Sequence, residues 1–215
     1  PEQEENTILS VVPSWAEQSP DMWWDQVQLA IRKVTSGGTF DPHDVVAIGI
    51  AYQMHGLVVV DSQGQALRNS IIWCDSRAVE IGEAAFRRIG PERALKHLLN
   101  SPGNFTAAKW AWVKANEPDV YGNTHQIMLP GDYIALQLTG TATTSISALS
   151  EGVFWDFREN RLSSDIIQHF GFNERVFPEI RPVFGEHGTL RPETAAKLGL
   201  KAGIPVSYKA GDQPN

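Results

Sequence analysis

The sequence predicts an α/β domain built on a mixed sheet with helices on both faces. Three observations carry this expectation. Strand-like and helix-like patterns alternate along all 215 residues. The run Val45-Val46-Ala47-Ile48-Gly49-Ile50 is continuously apolar and rich in β-branched residues, as expected of a strand covered on both faces. The strand run between 45 and 73 contains a hairpin that turns at Ser62-Gln63-Gly64-Gln65, so antiparallel pairs stand beside parallel ones.

Taken in order, Ile8 to Val12 reads as a short strand. Ser19-Pro20-Asp21 reads as a helix start, with a capping hydroxyl, a proline in the first turn and an acid at the positive end of the dipole. Trp23, Val27, Ala30, Ile31 and Val34 then recur at helical spacing until Ser36-Gly37-Gly38 ends the helix. Leu57 to Val60 and Ser70 to Trp73 are strands. Arg77 to Ile89, Pro91 to Leu99 and Phe105 to Asn116 are helices, and Pro118 limits the last of them or begins another turn. Gln126 to Leu129 is strand-like and Gly131 to Leu138 helical. Ser163 caps a helix that runs through Phe170 and closes at Gly171. Pro192 to Leu198 is a helix and Pro205 to Ala210 the last strand.

Composition narrows the partners. The net charge is −7, from 25 acids against 18 bases, whereas nucleic-acid and anionic-membrane binders usually carry the opposite sign. Neither partner is expected. The single cysteine, Cys74, excludes an internal disulfide and fits a reducing, cytoplasmic setting; it reads as a small buried hydrophobe. No apolar run approaches the ~18 residues that cross a bilayer. The chain opens on Pro1 with a polar stretch to Asn6 and stops at Asp212-Gln213-Pro214-Asn215, just after a strand. We therefore expect a piece of a longer protein. The strand edge left by missing neighbours makes a homodimer an expected partner state.

Three strand ends could carry chemistry. Gln53-Met54-His55-Gly56 follows the apolar run, where ligands collect in α/β folds. Gln53 and His55 could bond hydroxyls, with Gly56 admitting a close ligand; the competing reading is a turn whose histidine caps local backbone. Trp73-Cys74-Asp75-Ser76-Arg77 offers an indole face for a sugar and a carboxylate for hydroxyls, against a core tryptophan and an acid at a helix start. Asp212, beside Gly211 at the last strand exit, suits a general base or a structural turn. No phosphate-loop, dinucleotide or nucleophile-elbow motif is present, and no histidines pair at metal-ligand spacing. No metal ligands are assigned. Trp23-Trp24 and Trp110/Trp112 read as helix-packing residues.

These stretches occur in an order that resembles the first domain of the FGGY carbohydrate kinases. The likeness runs from Trp15 to Trp24, through Ile48-Gly49-Ile50-Ala51-Tyr52-Gln53-Met54-His55-Gly56 and Ile72-Trp73-Cys74-Asp75-Ser76-Arg77. It continues in Phe105-Thr106-Ala107-Ala108-Lys109, Leu129-Pro130-Gly131-Asp132-Tyr133 and Ala210-Gly211-Asp212. It spans residues 1–215, and the Gln-Met-His-Gly form is closest to the xylulokinase branch. The resemblance implies an actin-like, ribonuclease-H-like ATPase fold and transfer of the ATP γ-phosphoryl, with Mg²⁺, to a sugar hydroxyl. For that branch the product is D-xylulose 5-phosphate. It makes Asp212 the catalytic base, Met54 and His55 sugar-pocket residues alongside Gln53, Trp73 a pocket wall, and Gln213 a sugar contact.

The match has departures. The family's opening phosphate-binding hairpin and the C-terminal nucleotide domain have no counterpart here, so the chain alone is expected to be inactive. Gly131 stands where many xylulokinases carry lysine, and Thr143 to Leu149 lacks the aspartates often found there. The alternatives are another sugar kinase of the family, acting on gluconate, ribulose, glycerol or a deoxy-ketose, a non-catalytic sugar-binding module, or a purely structural domain.

Overall fold

The computed structural model describes residues 7–213; the opening stretch Pro1 to Asn6 and the final Pro214 and Asn215 lie outside them. In chain order the elements are β1 (Glu17–Gln18), α1 (Pro20–Ser36), β2 (Ile48–Tyr52), β3 (Val58–Val60), β4 (Ser70–Ile71), α2 (Val79–Ile89), α3 (Pro91–His97), α4 (Thr106–Asn116) and α5 (Pro118–Asn123). Next come β5 (Gln126–Met128), α6 (Pro130–Thr139), β6 (Thr143–Ser145), α7 (Ile146–Glu151), β7 (Trp155–Asp156), β8 (Arg161–Leu162), α8 (Ser164–Phe170), β9 (Glu179–Arg181), α9 (Pro192–Leu198) and β10 (Val206–Gly211). The expected alternation of strands and helices is present, and Pro118 does begin a helix of its own.

The pairing is mixed. β2 lies parallel to β10 and β6 parallel to β9, while β1–β4, β3–β5 and β7–β8 are antiparallel. Single bridges Leu57–Ile71 and Val60–Ala66 close the hairpin expected around Ser62–Gln65. Local chemistry sets the boundaries. The Ser19 hydroxyl accepts from the Met22 amide at 3.2 Å, and Pro20 and Asp21 occupy the first turn of α1. Ser163 caps α8 in the same way, and Gly171 ends it in the left-handed conformation.

Two strand expectations are corrected. Ile8 to Val12 is not a strand: only Leu9 bridges to Glu17, and Val11 is 90% exposed, with nothing against which to pair. The run from Val45 is not covered on both faces either. Its strand starts at Ile48, Gly49 and Ala51 are exposed, and Ile50 and Tyr52, with partly buried Ile48 beside them, turn into the core beside α6 and α9. The doubly covered strand is the next one. Leu57 and Val59 pack into one core with Trp110, Ile127, Phe154 and Phe172; Val58 and Val60 pack into another with Trp23, Met128 and Tyr133. Trp110 is fully buried and stacks on Tyr121 with ring centroids 4.4 Å apart.

α2 crosses the Ser101–Asn104 loop with no room for a side chain at Gly82, where a Cβ would lie 1.7 Å from the Gly103 carbonyl oxygen. That neighbour is backbone and cannot rotate away. Gly82→Ala is expected to destabilise the fold by about 3 kcal/mol, the upper end of overpacking costs. Urea unfolding measures this, and an unchanged midpoint would contradict the close approach.

Candidate active site

β2 and β10 run parallel, so their carboxyl ends emerge on the same side of the sheet. Gly211 stands opposite Tyr52, and the Asp212 amide donates to the Tyr52 carbonyl at 2.7 Å. This sets Gln53–His55 and Asp212–Gln213 side by side as they leave the sheet. Together with Trp73 they line one cleft of about 350 Å³. The six residues to which the resemblance assigns the sugar pocket and base thus share a single depression. Asp212 and Gln213 are exposed, and Trp73, 60% exposed, forms a wall rather than core.

His55 is the most constrained of them. Its backbone is left-handed, at φ 61°, and its carbonyl accepts from the buried Lys109 Nζ at 2.7 Å. Its ring meets Phe105 edge-on at 4.5 Å, and Nδ1 lies 3.2 Å from the Glu151 carbonyl oxygen. A carbonyl only accepts, so Nδ1 carries the hydrogen and a neutral ring keeps its lone pair on Nε2. Burial holds the imidazole below its ordinary range, with the Lys109 charge acting in the same direction, while the Glu151 carbonyl and Asp212 oppose the shift. His55 is thus arranged to accept a hydrogen bond at Nε2. Gln53 is anchored differently: its amide nitrogen donates to Gln18 at 2.8 Å.

The expected burial of Cys74 fails here, and the open readings of Asp75 and Gly56 resolve to the structural alternative. Asp75 is buried and committed: its carboxylate accepts from the Ala16 amide at 2.6 Å and pairs with Arg77 at 2.6 Å. The Arg77 guanidinium is held 3.9 Å from the Trp15 ring centroid and 4.8 Å from that of Trp112, so this cluster is structural. Cys74 is exposed, because the strand ends at Ile71 and the chain turns outward before α2. Gly56 makes room for protein and not for ligand: a Cβ there would lie 2.7 Å from Pro130 Cγ.

Next to the residues lining the cleft lie buried charged groups to which the sequence reading assigned no role. Lys209 in β10 is buried and bonds Asp132 at 2.6 Å, the Thr143 carbonyl at 2.7 Å and the Thr143 hydroxyl at 3.2 Å. Burial lowers the Lys109 ammonium to about 8. Glu151 is pushed up to about 8, first by burial and then by the Asp132 and Asp212 charges, against a hydrogen bond from Tyr52. A lysine within the apolar sequence of α4 was the one available signal, since a buried lysine demands acceptors. Glu151 follows Ser150 at a helix end, where an acid is ordinarily solvated.

Among the described residues, no group of three or more His, Cys, Asp or Glu side chains could hold a metal ion. Asp132 gives one carboxylate oxygen to Lys209. Mg²⁺ bound with nucleotide phosphates needs only one or two carboxylates, and none of these residues is assigned to the ion that the resemblance implies. Among the same residues, no helix is long and apolar enough to cross a membrane.

Residues 1–215 match the model of the FGGY family of carbohydrate kinases, N-terminal domain. The xylulose kinase of Escherichia coli strain K12 is 31% identical over 209 residues, which are 97% of this chain and 42% of that protein. A glycerol kinase of Thermococcus kodakarensis is 28% identical, over 94% of this chain and 40% of its own. The crystal structure of xylulose kinase from Rhodospirillum rubrum superposes with a TM-score of 0.89 at 26% identity, over 98% of this chain and 43% of that one. The chain thus spans about two fifths of the length of the relatives it matches.

The Glu151 shift makes a stability prediction. From about pH 4.5 to 8 the unfolded chain has lost this proton and the folded chain keeps it. The contribution is complete below 4.5 and is lost as pH rises through about 8. Glu151→Gln cannot ionise, so its stability relative to the parent should climb across that window. Urea midpoints for both proteins at the two ends of the window test this; a constant offset would contradict it.

Proposed function

The chain belongs to the FGGY family of carbohydrate kinases, and from that premise we propose that it forms the sugar-binding part of an ATP-dependent kinase converting D-xylulose to D-xylulose 5-phosphate. The observation that carries this reading is the single cleft in which Gln53, Met54, His55, Trp73, Asp212 and Gln213 meet. A polyol needs directed hydrogen-bonding groups and an apolar face, and this cleft supplies both.

Asp212 is the base. Its carboxylate orients the attacking hydroxyl and takes its proton as the new O–P bond forms and the bond between the γ-phosphorus and the β–γ bridging oxygen breaks, releasing ADP. Phosphoryl transfer depends chiefly on positioning, so a carboxylate at an exposed strand end is adequate when the proton moves late. His55 Nε2 accepts from a second sugar hydroxyl, Gln53 and Gln213 bond others, and the Trp73 ring and Met54 pack against C–H surface. ATP and its Mg²⁺ are bound in the same reading by parts of the protein beyond these residues. Closure of that second part over the cleft excludes water as a competing acceptor. The isolated chain is then inactive.

Similarity to a glycerol kinase favours a second reading, in which the acceptor is another polyol of the family, such as glycerol, gluconate, ribulose or a deoxy-ketose. A panel of these acceptors with ATP and Mg²⁺, assayed on the full-length protein, separates the two by kcat/KM. No turnover with any acceptor, despite sugar binding, would leave a non-catalytic sugar module instead. Asp212→Ala is expected to lower kcat by about 10³-fold, far more than it weakens sugar affinity measured by calorimetry. Retention of a tenth or more of the parent kcat would remove Asp212 from the role of base.

A further inference from the structure

Behind the cleft sits a carboxyl that the reaction above does not use. Glu151 closes α7, and its main-chain carbonyl accepts from His55 Nδ1 at 3.2 Å. Its side chain reaches toward the other wall. Oε2 lies 2.8 Å from the point a Cβ on Gly211 would occupy, and Met54 Cγ and Sδ lie 2.4 and 2.9 Å from that same point. The carboxyl and the thioether therefore share the bare face of Gly211, the residue before Asp212. The Tyr52 hydroxyl bonds the carboxyl, and Oε1 is buried with no hydrogen-bond partner. Tyr52 takes up this position because Gly131 has no side chain: a Cβ there would fall 2.1 Å from the ring Cδ1.

One residue thus touches three parts of the cleft: His55, Met54 and the backbone entering Asp212. Resting on the sugar-kinase reading, we propose that Glu151 is a positioning residue for sugar recognition and that it acts in its protonated form. A neutral carboxyl packs tolerably against a thioether and a glycine. A carboxylate with one oxygen buried and unpaired does not, and must draw in water or move. Movement displaces Met54 and Gly211 and slackens the anchor of His55.

Among the described residues, those that act on it include no cation. Tyr52 on β2, Asp132 on α6 and Asp212 after β10 face the carboxyl, and the two aspartates disfavour its ionisation. Lys209 on β10 is spent on Asp132 and Thr143. Lys109 on α4 bonds the far side of His55, through that residue's carbonyl. Burial places the ionisation of Glu151 at about 8, just above neutrality. Lys109 titrates in the same range, so a pH profile of the parent alone would not separate the two.

The test is the pH dependence of KM for the sugar and of kcat, measured separately on the full-length enzyme from about pH 6 to 10 at saturating ATP. The parent is expected to show KM rising about tenfold per pH unit on the alkaline side, with kcat changing much less. Glu151→Gln should lose that alkaline limb. Tyr52→Phe removes the bond that favours the ionised carboxyl, so its limb should move to higher pH. A limb that persists unaltered in Glu151→Gln belongs to Lys109 and overturns the proposal, as does a parent KM that stays flat through the range. A parent that phosphorylates no acceptor at any pH overturns the kinase reading itself, and this proposal with it.

Discussion

The structure depends on the parallel pairing of β2 with β10, two strands more than 150 residues apart in the chain. Both end at the same level, and this alone brings Asp212 beside Gln53–His55. The register is enforced from beneath. Lys209 points from β10 into the core and meets Asp132 of α6 and both oxygens of Thr143. A slip of one residue would turn that ammonium to the opposite face and carry the Asp212 amide away from the Tyr52 carbonyl. A buried ion pair is costly to desolvate and adds little net stability. Here it favours one register over its neighbours, and the register is what places Asp212.

The cleft then separates two carboxyls by environment. Asp212 stands exposed at the strand end, while Glu151, close by, is buried against Tyr52, Met54 and Gly211. In the proposed reaction the exposed group exchanges protons with substrate and the buried one holds the wall. Environments that push like groups apart in this way are how one site assigns different roles to them. The histidine between them is fixed in one tautomer by the Glu151 carbonyl, so its open nitrogen looks for a donor.

Gly131 illustrates how neighbours give a residue its meaning. In the sequence it is a departure from the pattern that the resemblance implies. In the fold its missing side chain is the space that the Tyr52 ring fills, and through Tyr52 it becomes part of the Glu151 arrangement. Gly56 teaches the opposite lesson: it reads as an opening for ligand and serves instead as a seat for Pro130.

Local chemistry carried much of this protein in plain view. Caps at Ser19 and Ser163, prolines at helix starts, the glycine after α8 and alternating periodicities defined the elements and the mixed α/β class, because these depend on neighbours a few residues away. The resemblance pointed to Gln53, Met54, His55, Trp73, Asp212 and Gln213, which all reach one cleft. Other features had no local signature. Which apolar strand is covered on both faces, why Asp75 is spent on Arg77, why Cys74 faces outward and how Glu151 reaches Gly211 follow from contacts between distant segments. Burial and charge environment are properties of packing, and only the folded chain decides them.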